Sequence, residues 1–203
     1  LNSCYRKFEE LDFYPTYFGC FDYVVGKKNE KEFQKLLLNK NYIKKFFFLN
    51  NLKLKDPQKK LNTIHIKEDN KEKISKNYNN YNNWQNSGSN SVHVSIIMGY
   101  REIYLIGVDG YKKDIINEAI KINKGSQLFV TETPKNNPNY FFDDYQRKND
   151  IYNRVQQNIY QQPGWELVGK VTSKNNIKVF NMSNPDYIKC FENLKLDCFY
   201  RNI

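Results

Sequence analysis

The chain has 203 residues, which fits a single domain over residues 1–203 with at most an elaboration. Its formal net charge of +10 points to an anionic partner: a nucleotide, an acidic glycan, or a membrane surface that would be met by peripheral association. The lysines are scattered and no basic stripe carries regularly placed aromatics, so most of the charge reads as solvated surface and direct nucleic-acid binding is not expected. No apolar run approaches the roughly 18 to 20 residues of a membrane span. Cys4, Cys20, Cys190 and Cys198 show neither zinc spacing nor a small disulfide framework, which favours a reduced, cytoplasmic setting. With 16 Tyr and 14 Phe, the core should be rich in aromatic rings.

In chain order, Leu1 to Leu11 is a short amphipathic segment. Pro15 then favours an extended entry to a buried strand, Tyr17 to Phe21, that delivers Asp22 at its end. Phe33, Leu36 and Leu37 stand at helical spacing within Glu30 to Asn39. Lys44 to Asn50, KKFFFLN, reads as a second buried strand, so the order is strand, helix, strand, as in a parallel βαβ unit. From Leu52 to Gln85 the pattern predicts an irregular insertion or lid, with a short strand at Asn62 to Lys67. Its Tyr78, Tyr81 and Trp84 are either incidental loop aromatics or rings that cover a bound base or sugar.

The stretch Ser87 to Tyr111, SGSNSVHVSIIMGYREIYLIGVDGY, organises the rest. Small residues at Ser87 to Ser91 lead into an apolar helix ended by Gly99, and Glu102 to Val108 is a buried strand. Asp109 and Tyr111 would emerge at that strand's carboxyl end, where open α/β sheets bind ligands. His93, among Val92, Val94, Ile96 and Ile97, is expected to be a packed core histidine. Further on, the spacing predicts a helix over Tyr111 to Asn123 and a strand at Gln127 to Thr131. A long helix should enter at Phe141-Phe142-Asp143-Asp144-Tyr145 and run to about Gln161. Strands at Trp165 to Lys170 and Ile177 to Asn181 follow, with a closing helix over Asn184 to Asn193. The fold class expected is α/β, a Rossmann-like and mostly parallel sheet with helices on both faces.

The Ser87 to Tyr111 block resembles, without a gap, the helix, GY turn and strand of the bacterial family 42 sialyltransferases, which use a CMP-activated sialic acid. It also resembles a related family of unknown-function proteins that includes 6-hydroxymethylpterin pyrophosphokinases. Asn2 and Asp22 are separated by the same interval as two asparagines that hold the cytidine in the sialyltransferases, although the second is Asp here. Asn139-Tyr140 through Asp150-Ile151, and the Ile177 to Ser183 segment, follow in the family's order. In that family a first strand ends in a glycine-rich GNGPSL-type loop that cradles the donor phosphates, and the resemblance implies that such a strand should precede Asn2. The family's general-base histidine has Tyr145 at the matching position.

The resemblance implies a glycosyltransferase taking its sugar from a nucleotide-activated donor, CMP-linked, with a glycan or other hydroxyl acceptor and no cofactor. Asn2 and Asp22 would hold base or ribose; Asn86, Ser87 and Gly88 at the helix N-terminus would hold phosphate; and Tyr111 matches a family tyrosine on the leaving phosphate. Asp143 or Asp144, raised in pKa by a partly closed site, would take the acceptor proton in place of the histidine. Each has a plainer reading: Ser87 as a helix cap, Asp109 as a strand terminator, Asp143 and Asp144 as charges on a helix dipole. Two alternatives stand beside this one. Asp22 and Asp109 could hold Mg²⁺ against a diphosphate, as pyrophosphokinase chemistry would require. A degenerate copy could also survive as a non-catalytic nucleotide- or glycan-binding domain.

Overall fold

The computed structural model describes residues 1–67, 72–84, 86–108, 115–122, 127–153, 161–183, 186–195 and 197. Among these the chain is mixed α/β, with three small three-stranded sheets. In the first, β1 (Tyr17–Cys20), β2 (Lys45–Leu49) and β3 (Leu61–Ile64) are parallel in the order β1-β2-β3. Helices α1 (Tyr23–Lys28) and α2 (Glu30–Asn39) form the crossover between β1 and β2, the βαβ unit read from the sequence. β2 shows why both faces of this sheet are dry. Side chains alternate across a strand, so Phe46 and Phe48 join Phe8, Phe18, Phe33 and Leu36 on one side, while Phe47 packs with Ile64, Tyr81 and Val94 on the other. Phe33 of α2 stacks on Phe48 with ring centroids 4.8 Å apart.

Helix α3 (Ser87–Ile97) serves two cores at once. Val94 faces the first sheet, whereas Val92 and Ile96 face a second parallel sheet, β4 (Glu102–Leu105), β8 (Lys178–Asn181) and β9 (Glu192–Asn193), in the order β4-β8-β9. Gly99 ends α3 with φ +100, and Tyr100 N–H donates to the Ser95 carbonyl at 3.1 Å while Gly99 N–H donates to Ile96 at 3.0 Å. That double bond is the Schellman arrangement, which a residue with a Cβ would strain. Antiparallel strands β5 (Ala119–Lys121), β6 (Gln127–Val130) and β7 (Ile151–Asn153) make the third sheet, with β6 central. No helix among the described residues is long and apolar enough to cross a membrane.

Several sequence expectations are corrected. Trp165 to Lys170 is not a strand but part of helix α4 (Gln162–Lys174), because Trp165, Val168, Val171 and Thr172 are buried at helical spacing and Pro163 sits in the first turn, where its missing N–H costs nothing. The helix expected from Phe141 onward is instead a short 3-10 turn at Asp143–Tyr145 followed by β7, with residues 154–160 outside the described set. Over 111–123, residues 111–114 and 123 lie outside it and Ala119–Lys121 is a strand. Of the closing helix, 186–191 forms turns and Glu192–Asn193 is β9, while 184 and 185 are outside.

Within the proposed lid at about 52–85, Ile64, Ser75, Tyr81, Asn82 and Trp84 are buried. Tyr81 and Trp84 are 1% and 0% exposed, and residues 78–81 run beside the continuation of β3 through the parallel bridge of Ile66 and Tyr81. Their rings sandwich His93 instead of covering a ligand, with centroids 4.4 Å and 4.0 Å from the imidazole. His93 is fully buried, as expected. Its Nε2 accepts from Ser75 N–H at 2.9 Å and its Nδ1 faces the Asn82 carbonyl at 3.2 Å, a pattern only the Nδ1–H tautomer satisfies. Burial pushes its pKa down to about 4, against a smaller upward pull from Asn82.

Candidate functional site

The site grows from the first turn of α3. Asn86 adopts extended backbone geometry as the N-cap, and its Oδ1 accepts from Ser89 N–H at 2.8 Å while Asn86 Nδ2 donates to the Gln161 carbonyl at 3.3 Å. The Ser89 hydroxyl, fully buried, turns back on the carbonyls of Trp84 and Asn86. With Ser89 N–H satisfied by the cap, the main-chain N–H groups of Ser87 and Gly88 remain at the positive end of the helix, the arrangement that receives anions. Ser87 is thus not the cap; Asn86 is.

Asn2 comes to this turn from the other end of the chain. It opens a 3-10 turn, Asn2–Lys7, with φ +52, and its Nδ2 reaches Ser87 Oγ at 3.5 Å. Asparagine tolerates the left-handed region because its short amide can bond locally. Its neighbour Ser3 is hydrogen-bonded to Tyr145, whose ring lies flat on that of Tyr140, 3.5 Å between centroids and 3° between planes. Asp22 acts electrostatically on Tyr140. Ser87, Asn2, its neighbour Ser3, Tyr145 and Tyr140 are therefore linked one to the next, and Asp22 is near enough for its charge to act on Tyr140. Asp22 itself caps α1, its Oδ1 accepting from Val25 N–H at 2.9 Å.

The two acids behave differently. Burial alone would raise Asp144, but hydrogen bonds from Arg147 at 2.8 Å and 3.0 Å and the charges of Arg6 and Arg147 outweigh it and hold the carboxyl below its usual range. Arg6 also donates to the carbonyls of Asp144 at 2.7 Å and Tyr145 at 3.2 Å, fastening the two segments together. The upward shift expected for a base at Asp144 is absent. Asp143 is exposed and accepts from Asn137 N–H at 3.1 Å. Burial pushes the phenols of Tyr140 and Tyr145 well above the ordinary tyrosine range, with Asp22 adding to the first and Tyr140 to the second. Raised in this way, the Tyr145 phenol keeps its proton and remains a hydrogen-bond donor at neutral pH.

Asp109 and Tyr111 lie outside the described residues. A separate cavity of about 330 Å³, between the N-terminal turn and α2, is lined by Tyr5, Arg6, Glu9, Glu32, Lys40 and Tyr42 and contains none of the sequence candidates. Among the described residues no three metal-ligating side chains gather. Sequence reasoning missed three members of the cluster: Arg6, Tyr140 as a stacking partner, and Trp165. Only Trp165 left a signal: a Cβ built on Gly88 would stand 2.5 Å from Trp165 Cζ2, so the glycine marks where a second helix comes close. Comparison with protein-family models, with curated proteins and with solved structures returns no match.

Proposed function

We propose that the chain is a glycosyltransferase that takes its sugar from a nucleotide-activated donor, CMP-linked, and passes it to a glycan or other hydroxyl acceptor, in a cytoplasmic setting. The observation that carries this reading is the meeting of Asn2 with Ser87 at the first turn of α3. Two residues singled out separately, one for the nucleoside and one for the phosphate, share a hydrogen bond across 85 positions of sequence. In this reading the two parallel sheets are halves of a Rossmann-like sheet, with α3 against both.

The roles follow from the chemistry of each group. Ser87 and Gly88 N–H with the helix dipole neutralise the phosphate that leaves with the nucleotide, while Asn2 and Asp22 orient the nucleoside. Of the two acids, Asp143 is assigned the acceptor proton, since Asp144 is neutralised by two guanidinium groups. Tyr145 supplies a phenolic donor. Tyr111 is assigned to the phosphate and Asp109 to the strand end on the resemblance alone.

Calorimetry with CMP, cytidine, GTP and ATP, each with and without Mg²⁺, tests the reading. Metal-independent CMP binding that exceeds cytidine binding is expected. Purine nucleotide binding that requires Mg²⁺, with none of CMP, would replace this reading with the pyrophosphokinase-like one.

A further inference from the structure

Trp165 is 3% exposed, and its indole Nε1–H is buried with no acceptor among the described residues. Orphaned buried donors are rare, because each forfeits the hydrogen bond it had in water, so such a group calls for a missing partner. The position of the ring says where that partner belongs. Cζ2, two bonds from Nε1, lies 2.5 Å from the Cβ that Gly88 does not have, and Cη2 lies at 2.8 Å. The indole N–H is therefore held alongside the first turn of α3, an 11-residue helix whose leading N–H groups have no carbonyl of their own helix to bond.

A second orphan flanks the same turn. Asn2 Oδ1 is buried without a partner among the described residues, while its Nδ2 contacts Ser87. One turn of helix is thus bordered by an unmet donor and an unmet acceptor. A bare inorganic anion would satisfy only the donor. A ligand carrying both an oxyanion and a hydroxyl or amino group satisfies both, and a nucleotide is such a molecule.

We infer that Trp165 is a ligand-binding residue, its indole N–H donating to a phosphate oxygen seated on the first turn of α3 while Asn2 Oδ1 accepts from the sugar or base of the same molecule. This rests on the nucleotide reading above and adds to it a residue that neither the motif nor the spacing indicated. Glycine at 88 is then a requirement of the site: it lets the six-membered ring lie against the helix so that the nitrogen reaches the ligand.

The chain has two tryptophans, so ¹⁵N-labelled protein gives two indole resonances, and Trp165→Phe and Trp84→Phe variants assign them independently. CMP, cytidine and inorganic pyrophosphate are titrated separately. The Trp165 resonance should move with CMP and with pyrophosphate but not with cytidine, and Trp165→Phe, which keeps an aromatic ring in the core while removing the indole N–H, should weaken CMP about tenfold and leave cytidine unchanged. A shift with pyrophosphate and no CMP binding at all would uphold the oxyanion contact while removing the cytidine donor. CMP binding with the Trp165 resonance unmoved, or no response to any of the three compounds, would overturn the inference.

Discussion

Acidification should unfasten the centre of the molecule through a single imidazole. His93 is neutral in the fold and clamped between Tyr81 and Trp84, with its Nε2 occupied by an N–H that repels a second proton. Its folded pKa of about 4 lies below the ordinary value of 6.5, so between those limits the unfolded chain binds more protons than the native one. Stability from this group is therefore complete above pH 6.5 and drains away as the pH falls toward 4. At about 1.4 kcal/mol per unit of pKa difference, the loss between pH 7 and 4.5 is about 2 kcal/mol. Urea unfolding at the two pH values measures it, and His93→Gln provides the reference, since the carboxylates titrate in both proteins and cancel in the difference. The pH-dependent increment should vanish in the variant. An imidazole that titrates near 6.5 by NMR in the native protein, or a difference that stays flat with pH, would refute the enclosure of this ring.

Gly88→Ala should lower stability by about 1 to 3 kcal/mol in denaturant unfolding, although alanine ordinarily favours a helix, because its methyl would meet the rigid indole of Trp165 at 2.5 Å. Asp144→Asn should cost about 1 kcal/mol at pH 7 by removing the acceptor shared by Arg6 and Arg147. Since the folded Asp144 carboxyl is held below its ordinary pKa, the gap between the two proteins should close as the pH falls through that lowered value, which urea melts across the acid range would follow. Under the proposed function the same substitution should leave glycosyl transfer measurable, whereas Asp143→Asn should reduce it by a factor of about 100, the scale of a lost general base. Burial raises the Cys20 thiol to about 12, so a thiol reagent at pH 8 should label it only after denaturation, as peptide mapping would show.

Local pattern carried the first half of the fold. Phe33, Leu36 and Leu37 at helical spacing and the unbroken FFF of β2 each have one physical solution, a one-faced helix and a strand dry on both sides, and both formed where expected. The second half misled because its apolar residues are few and β-branched. In Trp165-Glu166-Leu167-Val168 alternation suggests a strand, and only the wider interval to Val171 and Thr172 reveals the helical face. The polar tract before α3 hid its burial for another reason. Asparagine side chains close it from within and from α3, Asn82 Nδ2 giving to the Lys73 carbonyl at 2.8 Å and Asn90 Oδ1 of α3 taking Trp84 N–H at 2.8 Å, so polar composition coexists with a packed interior. Candidate residues were legible where a turn fixed them, as at Asn86 to Gly88. The pairing of Asp144 with Arg6 was not, since nothing local connects positions 138 apart.

That same separation sets an order of events when the chain is made. Ribosomes add about 5 to 20 residues per second, so several seconds or more elapse between the appearance of Arg6 and that of Asp144. Until then the Asn2–Lys7 turn lacks the acceptors at 144 and 145 and the Tyr145 contact to Ser3, and Asn2 waits in addition for Ser87, 85 residues away. The sheet of β1, β2 and β3 can close early, but the proposed nucleotide cradle is completed late. A nascent chain halted before residue 144 would carry the first turn of α3 and the whole of its first core, yet would leave Arg6 without the carbonyls it fastens.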